Sequence, residues 1–476
     1  MSYSKKMYIA GQLCDGEAEI DVINPATEES IGQVAAAGMN DVARALAAAK
    51  AAFPTWSKTT IAERQAWMHR LRDDVIANEE HLRDCIHQEM GKSWGGTQED
   101  FDSLKNSLEF YADEIARVSD EVLPDRAGTH THTLVHEPVG VAVAYLAWNF
   151  PLLNLAFKIG PAMASGCPII IRPSAATPVS AYAVGELCAK IGLPDGVVQI
   201  LTTSTYEAAD ALSASDVPAL LTLIGSTPTG RHIMKTGATS IKRYSMELGG
   251  NAPVLVFADA DLDLAADIVC AVKFNNSGQI CVTPNRVFVE ASVADAFTAK
   301  IVERAENTPV GFDKNADIVT GPMIDGKAWR RVKGLVDDAV SGGARLLAGG
   351  GRPDGMEKGH FFAPTVLSDV SEDMQIYRDE IFGPVVCLLT FDDHDQVMAQ
   401  ANDCEDGGLT AYVFTRDIAK AERCAADLRY GEVQINGVKY DIDLPHGGFG
   451  QSGIGHDCSR LALHEYLAVK RVSRAL

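Results

Sequence analysis

With 476 residues, 46% hydrophobic and 22% charged, the chain is long enough for two or three domains whose cores need no disulfide or metal staple, and its composition excludes wholesale disorder. Asp and Glu number 64 against 42 Lys and Arg, a formal charge of -22 that repels phosphate backbones and argues against nucleic acid as a partner. Ten scattered cysteines form no C-x-x-C pair and no zinc spacing, so no metal is expected; with no signal-like N-terminus, they predict reduced thiols in a cytoplasmic protein.

A short β start precedes a turn at Asn24-Pro25-Ala26-Thr27, and the N-terminal part then reads as helical: 39–51, one long helix over 61–90, and 101–118. Residues 129–136 (THTHTLVH) alternate like a solvent-facing strand. His130 and His132 share one face there, and an exposed strand fits them better than a metal site with no third ligand. The uncharged run 140–157 reaches membrane-span length, but Asn149 and Pro151 sit mid-run, so it reads as a strand, a turn and a buried helix, with no membrane partner.

From 139 onward strands (141–147, 168–172, 197–201, 220–224) alternate with helices (152–164, 179–191, 206–213, 229–236). That pattern predicts a parallel sheet covered on both faces, with ligands beyond the carboxyl ends of its strands. A second alternation has strands at 254–257, 286–290, 385–391, 411–415 and 432–436, helices at 262–274 and 293–306, and loops at 307–328 and 342–359. Two α/β domains joined near 247–252 follow.

Four features carry chemistry. Gly225-Ser226-Thr227 ends a strand and opens a helix whose free N–H groups can hold a phosphate, although it lacks the G-x-G-x-x-G pattern and a merely capped helix fits as well. Cys281 follows Asn-Ser-Gly-Gln-Ile; by residue type alone a buried thiol is more often core than nucleophile. Glu247 stands before Leu-Gly-Gly at the expected domain junction, where a lone Glu is more often a loop or cap residue than a base. Asn149 ends a buried strand, where its amide can serve the structure or donate to an oxyanion.

Together these features resemble the aldehyde dehydrogenase superfamily. Ala147-Trp-Asn-Phe-Pro151, Arg172-Pro-Ser-Ala-Ala-Thr-Pro178, Glu247-Leu-Gly-Gly250, Gly278-Gln-Ile-Cys281, Glu380-Ile-Phe-Gly-Pro384 and Gly447-Gly-Phe-Gly-Gln-Ser-Gly453 occur in family order, over a resemblance that runs from about residue 7 to the C-terminus. It implies an α/β fold with a Rossmann-like dinucleotide-binding domain (1–120 and 140–247), an α/β catalytic domain (248–451) and a β oligomerisation arm (121–139 and 452–476) built from the THTHTLVH and 469–472 strands. A homodimer or homotetramer follows.

The same resemblance implies NAD(P)-dependent oxidation of a small aldehyde to its acid. Cys281 would be the nucleophile, Glu247 the activator of water, Asn149 with the Cys281 N–H the oxyanion donors, and Lys158 part of a proton path. Trp148, Arg172, Ser174, Ala175, Gly225, Ser226, Leu248, Glu380 and Phe382 would hold the cofactor. Ser103, Asn106, Asn154, Phe157, Ile280, Val282, Thr283 and the 438–446 loop would line the substrate tunnel. Two departures bear on the cofactor: Arg172 replaces the family's ribose-binding Lys, and Ala175 replaces a frequent Glu, so NAD is expected with NADP admitted. Phe157 stands where succinate-semialdehyde and lactaldehyde enzymes carry Arg, which weakens a carboxylate-bearing substrate. Gly453-Ile-Gly455 and Leu463-His-Glu-Tyr466 nonetheless look like the lactaldehyde/glycolaldehyde and semialdehyde branches. Acyl transfer to coenzyme A is the enzymatic alternative, disfavoured because that branch typically lacks the Glu at 247; a silent scaffold is disfavoured by the presence of Cys281, Glu247 and Asn149.

Overall fold

The computed structural model describes residue 3, residues 5–404 and residues 407–476. Four strands, Met7–Ile9, Gln12–Cys14, Ala18–Asn24 and Glu29–Ala36, precede the first helix, more β structure than the expected short start. The predicted Asn24 turn joins the last two, with Asn24 Oδ1 accepting from the Ala26 and Thr27 N–H groups.

The long helix predicted over 61–90 is two, Ile61–Ala77 and Glu79–Met90. They part at Asn78, whose side-chain amide donates to the Asp74 carbonyl at 2.7 Å. A side chain that bonds its own backbone competes with the helical ladder, and apolar periodicity does not register it. The first of the two opens on a reciprocal Thr60/Glu63 cap.

The first large sheet has eight strands, in the order Gly453–Ile454, Arg243–Glu247, Pro218–Ile224, Val141–Tyr145, Ile169–Arg172, Val198–Ile200, Met7–Ile9, Gln12–Cys14. Its five central strands are parallel, as the alternation predicts, while both edges are antiparallel. Residues 141–145 and 169–171 are all buried, the near-continuous apolar run of a strand covered on two faces. The expected junction at 247 begins with an unforeseen strand: Arg243–Glu247 pairs in parallel with Pro218–Ile224 and puts Glu247 at a strand end. The run 140–157 is strand, turn and helix, and among the described residues no helix is long and apolar enough to cross a membrane.

The second sheet has seven strands, six of them parallel, running Thr365–Ser368, Val385–Phe391, Pro284–Glu290, Ala252–Val256, Thr410–Phe414, Glu432–Ile435, with antiparallel Arg345–Ala348 outside Thr365–Ser368. Arg345–Ala348 corrects the loop expected at 342–359, while the loop expected at 307–328 holds up to its last three residues, which open the helix Gly326–Ser341. The helix starts where the Asp325 carboxylate accepts from Ala328 N at 2.7 Å, and it buries Val332, Leu335, Val336 and Ala339 at helical spacing.

A third, three-stranded antiparallel sheet joins Leu467–Ala475 to His130–Pro138 over nine residue pairs, with Glu121–Leu123 beyond. His130 and His132 stack at 5.9 Å, and His132 Nδ1 bonds Ser473 Oγ at 2.8 Å, a strand-to-strand contact. Leu467–Ala475 has a neighbour on one edge only and exposes Val469 and Val472.

Candidate active site

A cavity of about 1490 Å³ opens beyond the carboxyl ends of both parallel sheets, well above the usual 300–1,000 Å³ of a single small-molecule pocket. It is lined by Asn149, Glu247 and Cys281, by Trp148, Arg172, Ser174, Gly225, Ser226, Glu380 and Phe382, and by Ser103, Asn106, Asn154, Phe157, Ile280 and Val282. Of the remaining residues named from the sequence, Lys158, Ala175, Leu248 and Thr283 are not among its lining.

Cys281 is delivered by a short strained segment. Asn276, Ser277 and Gly278 all have positive φ. A Cβ on Gly278 would meet the Gly383 carbonyl at 2.2 Å, so only glycine fits. Gln279, fully buried, fastens the segment by donating to the Asn276 and Pro322 carbonyls and accepting from Ile324 N. Phe150, Ile280, Val282 and Leu409 pack as an apolar cluster against the half-buried Cys281.

Asn149 lies in the turn between Val141–Tyr145 and the helix Pro151–Ser165. Pro151 fits the first helical turn, and the buried Asp100 carboxylate accepts from the N–H groups of Leu152 and Leu153. Asn149 and the cysteine segment clasp each other: Asn149 Nδ2 donates to the Gln279 carbonyl at 3.0 Å, and Asn276 Nδ2 donates to the Asn149 carbonyl at 2.9 Å. That leaves one Asn149 amide hydrogen uncommitted among the described residues.

Glu247 ends its strand beside Gly453, where a Cβ would meet the Met246 carbonyl at 2.1 Å, so the C-terminal glycine motif lets the two backbones pair. The Glu247 carboxylate is buried, and among the described residues its Oε1 accepts no hydrogen bond. His446 Nε2 is 3.3 Å from that oxygen, a charge contact that is not aligned as a hydrogen bond. Cys281, Glu247 and His446 offer one atom each that lie within 4.8 Å of one another.

The sequence reading placed His446 only at the end of a tunnel-lining loop and passed over Glu432. The visible signal was a titratable ring directly before the Gly447-Gly-Phe-Gly motif. Burial pushes the Cys281 thiol up to about 12, with Glu247 adding to the rise and His446 opposing it.

Lys158 is buried and engaged with Asp457: its Nζ donates to both carboxylate oxygens, at 2.6 and 2.7 Å. Ser103 Oγ is engaged with the Glu99 carbonyl, and Asn154 Nδ2 with the Ala147 carbonyl and Asn149 Oδ1. Phe157 sets its ring 6.2 Å from that of His446.

The other end of the cavity fits a dinucleotide. Ser226 caps the eleven-residue helix Thr227–Gly237, presenting its N–H end. Trp148 and Phe382 meet edge to face at 5.5 Å, Phe382 with a positive φ of 48°. Burial holds the Glu380 carboxyl up at about 7, and its Oε2 lies 2.6 Å from where a Cβ on Gly249 would stand, a close backbone approach reserved for glycine. Arg172 Nε is spent on Thr203 Oγ1, leaving the ends of the guanidinium unassigned. Ala175 is exposed. The Leu248 backbone N–H is committed to the Ser452 carbonyl.

The profile of the Aldehyde dehydrogenase family matches residues 13–472. Glutarate-semialdehyde dehydrogenase of Pseudomonas putida is 36% identical over 471 residues, 98% of this chain and 97% of that protein. The NADP(+) succinate-semialdehyde dehydrogenase of Escherichia coli K12 is 35% identical, with the same shares covered. The crystal structure of succinate-semialdehyde dehydrogenase from Burkholderia pseudomallei superposes with a TM-score of 0.97 at 37% identity, over 100% of this chain and 98% of that one. A near-complete match in sequence and in fold makes this chain a member of the aldehyde dehydrogenase family, an NAD(P)-dependent oxidoreductase acting on an aldehyde.

Proposed function

We propose that the enzyme oxidises a small aldehyde to its carboxylic acid through covalent attachment to Cys281 and hydrolysis assisted by Glu247. The observation that carries this reading is the convergence of Cys281, Asn149 and Glu247 on one cavity. The Cys281 sulfur attacks the aldehyde carbon, and the developing oxyanion takes the uncommitted Asn149 amide hydrogen and the Cys281 backbone N–H. Ser226, Trp148, Phe382 and Glu380 would hold the dinucleotide, which when bound would supply the two-electron acceptor for the hydride leaving the Cys281 adduct. Glu247, buried and without a hydrogen bond to Oε1, then takes a proton from the water that releases the acid.

Phe157 in the lining supports a small aldehyde without a bare carboxylate at its far end, although several relatives act on semialdehydes. The proposed domain boundaries are 120/121, 139/140, 247/248 and 451/452, with the strand Gly453–Ile454 returning from the arm segment to the edge of the first sheet. The one-sided strand Leu467–Ala475 is the edge on which copies associate into a cytoplasmic homodimer or homotetramer.

The test is Glu247→Gln in a rapid-mixing experiment: one equivalent of reduced cofactor forms in a burst, followed by turnover slowed about 10²–10⁴-fold. An unchanged steady rate removes Glu247 from hydrolysis. A strict requirement for coenzyme A would replace the hydrolytic reading with acyl transfer.

A further inference from the structure

We propose that His446 is the positive charge of the active site: an imidazolium, oriented by Glu432, that faces both the Cys281 sulfur and the Glu247 carboxylate and sets the ionisation of the two. The proposal rests on the reading of Cys281 as nucleophile and Glu247 as base, and it adds a third ionised group to them.

His446 is held from several sides. Its backbone N–H and C=O both pair with Asp457, at 2.8 and 2.7 Å, and the Asp457 carboxylate is fixed by buried Lys158. Nδ1–H donates to Glu432 Oε1 at 2.6 Å, while Glu432 Oε2 accepts from Thr410 Oγ1 at 2.9 Å. The rings of Phe157 and Tyr440 stand 6.2 and 6.3 Å away. With Nδ1 committed, Nε2 is the nitrogen that faces the reacting groups, 3.3 Å from Glu247 Oε1.

The groups around it leave the ring little choice of charge. Glu432 faces it from the strand Glu432–Ile435, Glu247 from Arg243–Glu247, and Cys281 from the segment before Pro284–Glu290; Tyr412, Tyr440 and Cys458 complete the titratable surroundings. Lys158, the buried cation behind the loop, is spent on Asp457. Burial pulls the imidazole down, but the Glu432 hydrogen bond together with the facing Cys281 sulfur and Glu247 carboxylate outweighs burial and raises it well above its ordinary value. Glu247 and His446 therefore act on the thiol with opposite signs. On activation the S–H bond breaks, the proton passes to solvent, and the electron pair stays on a sulfur that faces the imidazolium. That pair forms the C–S bond with the aldehyde carbon as the C=O π pair moves onto oxygen.

The experiment follows iodoacetamide alkylation of Cys281 in cofactor-free enzyme from pH 6 to 10, with the adduct located by mass spectrometry and the fold checked by circular dichroism and dinucleotide binding. His446→Gln is expected to alkylate at least tenfold more slowly at pH 7.5, with its profile moved up by one pH unit or more, since a tenfold change corresponds to one pKa unit. Glu247→Gln is expected to alkylate faster than wild type, and His446→Lys to recover part of the lost rate. A wild-type profile in His446→Gln, or shifts of the same sign in both Gln variants, overturns the proposal. Should the position 446 variants not fold, histidine-selective carbon-13 NMR of the wild type decides: a ring that stays charged to pH 8 supports the proposal, and a neutral ring at pH 7.5 overturns it. Retained turnover in Cys281→Ala would instead break the underlying reading, an outcome the alkylation profiles do not produce.

Discussion

Lys158 and Asp457 test what the loop behind the active site is for. The pair is 0% and 3% exposed and makes two hydrogen bonds of 2.6 and 2.7 Å. Lys158→Met keeps the length of the aliphatic stem but strands a buried carboxylate with no counter-charge. Breaking a buried pair from one side costs about 3–5 kcal/mol, whereas replacing both partners by apolar groups is often neutral or stabilising. Lys158→Met/Asp457→Leu should therefore be more stable than Lys158→Met by about 3 kcal/mol or more. Urea unfolding of the four proteins at one fixed enzyme concentration measures the cycle. The reasoning fails if Lys158→Met loses less than about 1 kcal/mol, or if the double variant is weaker than both singles, because the two charges are then uncoupled.

The same cycle separates two roles for Lys158. Asp457 pairs through its backbone with His446, so a structural clamp predicts that the double variant regains turnover along with stability. A proton relay, the role implied by the resemblance, predicts that hydrolysis stays as slow in the double variant as in Lys158→Met. Both Asp457 oxygens are bonded to Nζ, which favours the clamp.

Further outcomes follow from named groups. Asn149→Ala removes the proposed side-chain donor to the oxyanion and should lower kcat about 10²–10³-fold, read by steady-state kinetics with stability checked, since the clasp to Gln279 is lost as well. Ala175→Glu puts a carboxylate beside the cofactor end of the cavity; the KM for NADP should rise at least about tenfold relative to that for NAD, and an unchanged ratio would place residue 175 away from the ribose. Removing residues 467–476 takes away the nine-pair partner of His130–Pro138, and light scattering should then show a smaller assembly than wild type.

Much of the fold and site is legible in the chain because they depend on local order. Leu262–Phe274 and Val179–Ile191 stand where helical periodicity puts them, and Cys281 and Asn149 lie in contiguous runs whose glycine and proline have local tasks. What escapes is through-space. Met7–Ile9 inserts between Gln12–Cys14 and a strand at 198–200, and no local pattern encodes that second pairing. Glu432 and His446 are fourteen residues apart and meet only because the strand Glu432–Ile435 and the bridge at Asp457 bring them together. Asn78 and Asp325 show the opposite case: the capping residues were in plain view, but hydrophobic spacing alone does not register a break or a start made by hydrogen bonds.

Glu380 joins the reading of the cavity to a measurable proton. Burial holds its carboxyl at about 7, against the lowering effects of the Gly250 N–H, Arg331 and Lys273. If this group accepts from ribose hydroxyls, the ionised form is the one that binds, so affinity for NAD(P) must rise as pH rises through 7. For a group titrating there, the ionised fraction goes from about one-tenth at pH 6 to about nine-tenths at pH 8, so Kd should fall about tenfold across that interval. By linkage, binding then releases protons near pH 7, which calorimetry in two buffers of different ionisation enthalpy reads directly. Glu380→Gln removes the titrating group; it should bind more weakly at pH 8 and with a flattened profile. That control also isolates Glu380 from Lys273, which burial holds down at about 8 and which titrates at the upper end of the same window. Proton uptake on binding, or an undiminished slope in Glu380→Gln, would show that the dinucleotide does not meet this carboxylate.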